Sequence, residues 1–282
     1  MKEIQIKREL ISIKIPIPVR GKLITQLELI KINEITFFNI PFYHQQAIEQ
    51  KIEQISHFLK KKLEIHQLHP EAKFLIEANQ TSFHHLSCRF NFLFTDFQFE
   101  YYDCVKVKVS PSNFNLIPLI KLNQNPKISS IRLDGNQSFN KNELELFLNE
   151  LKRNNISKIE YFEEPCLNLT EAKDLLSNFK IPMAIDESFK NINIQDFDAF
   201  ILRPSLVGFS ESIEFINQAI KLNKKVTISS GYEIDKGMNA LIFISDYYNH
   251  VSKSQNFHGL DTFKFFDSKY FSFIQKDNHL SL

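Results

Sequence analysis

From about residue 101 onward, short runs of β-branched and apolar residues alternate with helical stretches, and this alternation limits the possible folds more than any other feature. Such an order is typical of βα units, in which parallel strands form one sheet and helices cover it. Seven strand candidates lie at residues 105–109, 128–133, 158–162, 182–185, 199–202, 226–229 and 257–260. The helical candidates between them include residues 142–152, 169–178, 211–222 and 234–247. The pattern therefore predicts an α/β fold for residues 101–262.

Two α/β architectures compete for this part of the chain, a βα barrel and a doubly wound open sheet. Dinucleotide-binding open sheets carry a GxGxxG sequence after an early strand, and this chain has neither that sequence nor a P-loop. The succession of seven βα steps favours the barrel.

The first hundred residues have a different pattern. Residues 4–17 and 23–37 alternate apolar with polar side chains, as two or three antiparallel strands facing one core do. Residues 45–63 then place isoleucines and leucines three or four apart between polar residues, which predicts an amphipathic helix. A second helix is expected from Pro70 to about residue 79, with proline in its first turn. We therefore expect a small α+β domain over residues 1–100.

The composition argues against several classes of protein. Lys and Arg total 34 against 33 Asp and Glu, so the net charge of +1 gives no reason to expect a nucleic-acid or anionic-membrane partner. Three widely spaced cysteines, Cys88, Cys104 and Cys166, indicate neither a disulfide framework nor a zinc site. The N-terminus lacks the apolar region of a signal peptide, and no run reaches the ~18 apolar residues of a membrane helix. We expect a cytoplasmic protein, with monomer and homo-oligomer both open.

Acidic residues follow three consecutive strand candidates. In a βα barrel the carboxyl ends of the strands meet on one face, so Asp134, Glu163 and Asp186 would surround one point. Three like charges in a cleft require a compensating cation, and ligation by oxygen alone suits Mg²⁺ better than zinc. Each acid taken singly could instead cap a helix or form a turn. Their succession predicts a Mg²⁺ site.

The first strand of the barrel carries two lysines on one face. Lys106 and Lys108 alternate with three valines, so the valines would pack against helices while the lysines point inward. An edge strand with a solvated lysine face is the alternative. A lysine that is partly desolvated beside another cation has a lowered pKa, which suits it to remove a carbon-bound proton.

Further strand ends supply an arginine and two serines. Arg203 can stabilise an anion or stack on an unsaturated ring but accepts protons poorly, and a structural salt bridge is its alternative role. Ser229, Ser230 and the amide near Gly231 could bind a substrate carboxylate, or they could simply begin the next helix.

Taken in order, the strand ends carry a set of short motifs. They are Lys106-Val-Lys108, Arg132-Leu-Asp-Gly-Asn136, Phe162-Glu-Glu-Pro-Cys166, Ala184-Ile-Asp-Glu-Ser188, Arg203-Pro-Ser-Leu-Val-Gly208, Ile228-Ser-Ser230 and Gly259-Leu-Asp-Thr262. Together they resemble the enolase superfamily, and within it most closely the o-succinylbenzoate synthase family. The resemblance implies a modified (β/α)7β barrel of the TIM type under an α+β capping domain, which residues 1–100 form and residues 263–282 complete.

The resemblance also implies roles for these residues. Mg²⁺ would be held by Asp134, Glu163 and Asp186. Lys108 would take the proton next to the substrate carboxylate and then protonate the departing hydroxide, while Lys106 would position it. Carboxylate or carbonyl groups of a small-molecule carboxylate substrate would contact Ser229, Ser230 and Gly259.

One residue departs from the family pattern, which has lysine where this chain has Arg203. Racemases and epimerases of the superfamily need a base on each face of the carbon, and arginine serves badly as the second base. A one-base elimination needs only a cation there. The implied activity is thus Mg²⁺-dependent syn-dehydration of 2-succinyl-6-hydroxy-2,4-cyclohexadiene-1-carboxylate to 2-succinylbenzoate in menaquinone biosynthesis. The alternatives are an N-acylamino acid racemase or dipeptide epimerase of the same superfamily, and a non-catalytic barrel.

Overall fold

The computed structural model describes residues 4–19, 22–38, 46–93, 103–113, 115–186 and 192–282. In the first two of these ranges, the described residues form a three-stranded antiparallel sheet of β1 (Ile6–Val19), β2 (Lys22–Ile32) and β3 (Ile35–Phe37). Two helices follow, α1 (Ile48–Leu59) and α2 (Pro70–Gln80). Ile52 and Ile55 of α1 lie in the same buried cluster as Ile30 and Ile32 of β2. The amphipathic pattern of the sequence thus packs α1 against the sheet.

The largest sheet lies in the middle of the chain. It is formed by β5 (Phe92–Leu93), β6 (Cys104–Lys108), β7 (Ser130–Asp134), β8 (Ile159–Glu163), β9 (Met183–Ile185), β10 (Ala199–Leu202) and β11 (Lys225–Ile228). The strand before it, β4 (Ser87–Phe90), belongs to another sheet. Within the described residues, β5 to β11 form a seven-stranded sheet in chain order, and every neighbouring pair is parallel. The predicted α/β class is confirmed.

Helices connect these strands. They are α3 (Ile117–Gln124), α4 (Lys141–Arg153), α5 (Leu169–Asn178), α6 (Pro204–Val207), α7 (Phe209–Lys221) and α8 (Asp235–Ser252). Val105 and Val107 of β6 pack in one buried cluster with Leu119 and Leu122 of α3. The alternation of β6 therefore turns its valines toward the helices, as the sequence predicts, and leaves the lysine face for the other side of the sheet.

Hydrogen bonds link the two edges of the sheet through β12 (Phe257–His258) and β4. Directly after β12, the Gly259 amide donates to the Ile228 carbonyl at 2.7 Å, and the Ser230 amide donates to the Gly259 carbonyl at 2.9 Å. On its other side β12 pairs in parallel with β4, and the Asn91 amide donates to the His258 carbonyl at 2.8 Å. Because Asn91 joins β4 to β5, the first and last strands of the large sheet are connected through these pairings.

The end of the chain adds β13 (Ile274–Lys276) and β14 (His279–Ser281). β14 pairs with β4, so residues after 263 join the sheet that flanks the barrel strands. β5 pairs with β6 although it precedes residue 101, and the expected boundary between residues 100 and 101 lies outside the described residues. We keep the division into a capping domain and a barrel as a proposal. Among the described residues, no helix is both long enough and apolar enough to span a bilayer.

Candidate active site

Three adjacent strands bring Lys106, Asp134 and Glu163 together at their carboxyl ends. The parallel register sets Lys108 beside Asp134 and Asp134 beside Glu163. Lys106 Nζ lies 2.9 Å from Asp134 Oδ2 and 2.6 Å from Glu163 Oε2. The Asn136 side chain donates to Asp134 Oδ1 at 2.7 Å and fixes the second oxygen of that carboxylate. Two of the predicted metal ligands therefore share one buried ammonium group.

Asp186 and Arg203 form the next part of the site. Arg203, which directly follows β10, makes an ion pair with Asp186, which directly follows β9. The Asp186 amide donates to Glu164 Oε1 at 2.9 Å, and Gln137 donates to the other oxygen of Glu164. Glu164 is buried and adopts φ 27°, a left-handed conformation that is costly for a residue with a side chain. A strained turn after β8 thus holds the backbone of the third predicted ligand.

Burial and mutual repulsion govern the charge of the carboxylates. Burial raises the pKa of Glu163 to about 7, with Lys106 opposing the shift and Asp134 and Asp186 adding to it. Burial likewise raises the pKa of Asp186 to about 6, although Arg203 and Lys106 lower it. For Asp134, burial is outweighed by Lys106 and Lys108, which hold its pKa below the usual value. The three acids therefore share one electrostatic environment in which their negative charge is not fully compensated.

The two lysines of β6 differ in environment. Burial alone would lower the pKa of Lys106, but the carboxylates of Asp134, Glu163 and Asp186 outweigh burial and raise it above its usual value. Lys106 is therefore held as an ammonium ion. Lys108 is exposed and lines the same cleft, which holds about 690 Å³ including space open to solvent.

The loop after β11 places the serines at the opposite wall of the cleft. Ser229, Ser230 and Gly259 all line it, and Ser229 forms a parallel bridge with Gly259. The Gly231 amide, however, donates to Glu233 Oε2 at 2.6 Å, and the Ser230 hydroxyl donates to the same oxygen at 2.7 Å. An internal carboxylate therefore occupies the Gly231 amide, one of the donors that the sequence offered for a substrate carboxylate.

Several residues that line the cleft were not identified from the sequence. They are Asn91, Tyr161, Thr227, Tyr232 and Thr262. Tyr161 and Thr227 could have been predicted from their spacing. Each lies two positions before a predicted site residue, Glu163 or Ser229, and residues two apart on a strand point to the same face. The Tyr161 hydroxyl of β8 donates a hydrogen bond to Thr227 Oγ1 of β11, with 3.4 Å between the oxygens.

The carboxylates suit a divalent cation by their chemistry. Within the described residues, no group of three or more His, Cys, Asp or Glu side chains lies close enough together to hold a metal ion. Asp134 and Glu163 turn to Lys106, and Asp186 turns to Arg203. The buried carboxylates of Asp134 and Glu163 and the half-buried carboxylate of Asp186 nevertheless match the all-oxygen donor set that Mg²⁺ prefers. The residues present therefore fit the group that the sequence predicts.

Curated relatives of this chain are o-succinylbenzoate synthases. The protein from Haemophilus influenzae is 29% identical over 124 residues, which cover 42% of this chain and 38% of the relative. The proteins from Pasteurella multocida and Aliivibrio salmonicida are 26% and 31% identical and are covered over 42% and 36% of their length. The matched part of the chain thus spans about two-fifths of the length of these relatives. No protein-family model matches the chain.

Solved structures share the fold over nearly the whole chain. An o-succinylbenzoate synthase from Thermosynechococcus elongatus, complexed with Mg in its active site, superposes with a TM-score of 0.72 at 14% identity, covering 94% of both chains. The L-Ala-D/L-Glu epimerase from Bacillus subtilis superposes with a TM-score of 0.70 at 13% identity, covering 99% of this chain and 95% of the epimerase. A Listeria innocua member of the enolase superfamily gives 0.66 at 16% identity, covering 98% and 90% of the two chains. The resemblance expected from the motifs is confirmed.

Proposed function

We propose that this chain, which has the fold of the enolase superfamily and resembles o-succinylbenzoate synthases in sequence, is itself an o-succinylbenzoate synthase. The reaction would be the Mg²⁺-dependent syn-dehydration of 2-succinyl-6-hydroxy-2,4-cyclohexadiene-1-carboxylate to 2-succinylbenzoate, in menaquinone biosynthesis in the cytoplasm. The observation that carries the proposal is the joint placement of Lys106, Lys108 and the acids Asp134 and Glu163 in one cleft. The proposal includes closure of the sheet as a (β/α)7β barrel under the N-terminal region.

Asp134, Glu163 and Asp186 would hold the Mg²⁺ ion. When bound, Mg²⁺ would supply positive charge that stabilises the carboxylate of the substrate as the adjacent carbon loses its proton. The raised pKa values of Glu163 and Asp186 support this assignment, because a bound cation would offset the burial and the mutual repulsion that raise them.

Lys108 is the residue to which we assign proton transfer. The carboxylates hold Lys106 as an ammonium ion, so Lys106 is poorly suited to accept a proton, whereas Lys108 reaches the same cleft from the exposed end of β6. In the proposed reaction, the Lys108 amine takes the hydrogen from the carbon next to the substrate carboxylate. The electrons of that C–H bond form the aromatic ring as the C–O bond breaks, and Lys108 returns the proton to the hydroxide, which leaves as water.

Arg203 favours dehydration over epimerisation. It is paired with Asp186 and lines the cleft, where its guanidinium can lie against the ring and the developing charge. Epimerisation needs a second base that takes and gives protons from the opposite face, and a guanidinium stays protonated throughout the accessible pH range. Ser229, Ser230 and Gly259 are assigned to contacts with the carboxylate or carbonyl groups of the substrate.

A dipeptide epimerase is the second candidate, because structures of that activity share the fold. The two candidates differ in what happens to the α-hydrogen. An epimerase would exchange the α-hydrogen of both enantiomers of a dipeptide with deuterated solvent, which nuclear magnetic resonance detects directly. The dehydratase proposal expects exchange from neither enantiomer at a rate comparable with dehydration.

The proposed function is tested by incubating the purified protein with Mg²⁺ and the cyclohexadiene substrate and following the aromatic product by absorbance. We expect product formation that stops when a chelator removes the metal and is lost in Lys108→Ala. Lys152→Ala, which removes an exposed lysine on α4, is the matched control and should keep full activity. A folded protein that forms no aromatic product with Mg²⁺ would contradict the proposal.

A further inference from the structure

Tyr232 forms part of the wall of the cleft, and a second cavity lies on the other side of that wall. Tyr232 lines both the cleft and this second cavity, which is bounded by β3, α1 and α2 on one side and by the loop after β11 on the other. Tyr232 itself adopts φ 71°, an uncommon conformation for an aromatic residue. Its position therefore depends on contacts that hold the loop in place.

Glu233 holds that loop through two hydrogen bonds on one oxygen. Its Oε2 accepts from the Ser230 hydroxyl at 2.7 Å and from the Gly231 amide at 2.6 Å. The Ser230 oxygen in turn accepts from the Tyr232 amide at 3.0 Å and from the Thr262 hydroxyl at 2.6 Å. Each of the residues from 230 to 232 is thus tied directly or through Ser230 to the buried Glu233 carboxylate.

The N-terminal region supplies the positive charge that faces this carboxylate. Lys51 of α1 is 2% exposed and pairs with the equally buried Glu71 of α2, with 2.7 Å between Nζ and Oε2. Burial lowers the pKa of Lys51, and the charges of Glu71 and Glu233 both act against that shift. Lys51, Glu71 and Glu233 all line the second cavity, so the ammonium group that pairs with Glu71 shares one enclosed space with the Glu233 carboxylate.

We propose that Lys51, acting through Glu233, fixes the position of Tyr232 and thereby sets which ligands the cleft accepts. In this role Lys51, Glu71 and Glu233 are positioning residues, and Tyr232 is a specificity-determining residue. The inference deepens the proposed function and rests on it for the identity of the ligand, an organic acid bearing carboxylates. The link joins the N-terminal helices to the same loop that carries Ser229 and Ser230.

The physical reason is charge balance in a space that excludes water. Burial already raises the pKa of Glu233, so a Glu233 carboxylate that loses the positive charge in its cavity must bind a proton or reach solvent. Either change alters the hydrogen bonds that Glu233 accepts, and the strained backbone at Tyr232 then relaxes. Loss of Lys51 should therefore move Tyr232 without touching the residues assigned to proton transfer.

Fluorescence can follow this position because the chain contains no tryptophan. Tyr232→Trp creates a single reporter at the wall of the cleft, and acrylamide quenching measures its exposure. Adding Lys51→Met should raise the quenching constant about threefold, since the loop opens locally to solvent. An unchanged quenching constant in the folded double variant would overturn the proposal.

Two controls separate positioning from a general loss of stability. Lys73→Met removes another ion pair between the N-terminal helices and the barrel helices, the pair of Lys73 with Glu211, and should leave the quenching unchanged. Adding Glu71→Gln to Lys51→Met removes both charges of the buried pair, which should restore thermal stability but not the original quenching. Recovery of both together would show that Lys51 acts only on stability and would also overturn the proposal.

Kinetics with the native tyrosine provide a second measurement. If the chain performs the proposed dehydration, Lys51→Met should raise KM about tenfold and change kcat less than threefold, because substrate binding is altered while proton transfer is not. A fall in kcat without a rise in KM would contradict the proposal. If the unchanged protein converts no substrate, the proposed function fails, and the quenching experiment alone decides the role of Lys51.

Discussion

Two charge clusters lie in the large sheet, one at the carboxyl ends of its strands and one nearer their amino ends, and they differ in which sign is in excess. The first, which we propose to be catalytic and call the catalytic cluster, contains Asp134, Glu163 and Asp186 paired with Lys106 and Arg203. The second, called the base cluster because it lies nearer the amino ends of the strands, contains Glu160 paired with Lys225 and with Arg132 at the middle of β7. The first sets three acids against two paired cations, and the second sets two cations against one acid.

The pKa values of the acids follow this difference. Burial acts against ionisation at both ends, yet Arg132 and Lys225 hold the pKa of Glu160 down at about 2, while the pKa of Glu163 lies at about 7. Arg132 also donates to Asn91, Asn256 and the Phe257 carbonyl, so its fully buried guanidinium is well satisfied. We infer that the base cluster serves stability, whereas the catalytic cluster keeps an excess of negative charge for a cation to neutralise.

Arg132→Met should have the largest effect on stability. It leaves Glu160 buried beside only one cation and removes several hydrogen bonds, so the free energy of unfolding should fall by about 3–5 kcal/mol. Chemical denaturation measures this change. A loss below about 1 kcal/mol, the range of a surface ion pair, would mean that the base cluster does not hold the strands together.

Lys106→Met should affect activity far more than stability. Without the ammonium group, Lys108 and the acids lose their positioning, and kcat for the proposed dehydration should fall by about 10²–10³-fold. The cost in unfolding free energy should stay below that of Arg132→Met, because Glu163 already binds a proton readily near neutral pH. Chemical denaturation of both variants checks this order. A larger loss of unfolding free energy in Lys106→Met than in Arg132→Met would contradict the different roles assigned to the two clusters.

Mg²⁺ affinity should fall as the pH is lowered. Burial raises the pKa of Glu163 to about 7, so this carboxyl becomes increasingly protonated as the pH falls below neutral, and a metal must then displace the proton. Affinity measured by calorimetry should therefore be about tenfold weaker at pH 6 than at pH 8. Equal affinity at the two pH values would contradict the proposal that a Glu163 carboxyl with a raised pKa binds the metal.

The two clusters should change stability with pH in opposite directions in the metal-free protein. The pKa of Glu160 is depressed to about 2, so its contribution is present above its unfolded value near 4.5 and is lost as the pH falls. The pKa values of Glu163 and Asp186 are raised to about 7 and about 6, so their contributions are present at low pH and are lost as the pH rises through those values. Each carboxyl should change the free energy of unfolding by about 1.4 kcal/mol per pH unit at most.

Paired variants separate these effects in denaturation curves recorded from pH 3 to pH 8. Glu160→Gln should flatten the acidic part of the stability profile, and Glu163→Gln should flatten the part between pH 5 and pH 7. If Glu163→Gln instead flattened the acidic part, the assignment of the raised pKa to the catalytic cluster would be wrong.

Local sequence patterns predicted most of the barrel segment. Helix α5 and strand β10 lie at the predicted residues, because Asn168 caps the helix through the Glu171 amide and the buried run 199–202 is bounded by polar residues. Strands β4 and β5 were not predicted, since they are short and their partners lie far away in sequence, as in the pairing of β4 with β12 and β14. Helix α3 was missed because its apolar residues lack a clear period.

The sequence predicted which residues of the site lie close together. It did not predict which ion pairs and hydrogen bonds they form. The rule that strand ends share one face brought Lys106, Asp134 and Glu163 together. Their ion pairs, and the hydrogen bond from the Gly231 amide to Glu233, depend on the conformations of side chains and loops, which no local sequence pattern encodes. The buried pair of Lys51 and Glu71 was likewise invisible in the sequence, because it joins two helices across an interface.

The most direct test of the central claim is calorimetric titration of Mg²⁺ into the purified protein and into two single-carboxylate variants. We expect one ion to bind to the unchanged protein and to Glu160→Gln with similar affinity, and binding to be lost in Glu163→Gln. Binding that survives in Glu163→Gln, or no binding to the folded unchanged protein at pH 8, would contradict the proposal that the catalytic cluster holds the cation.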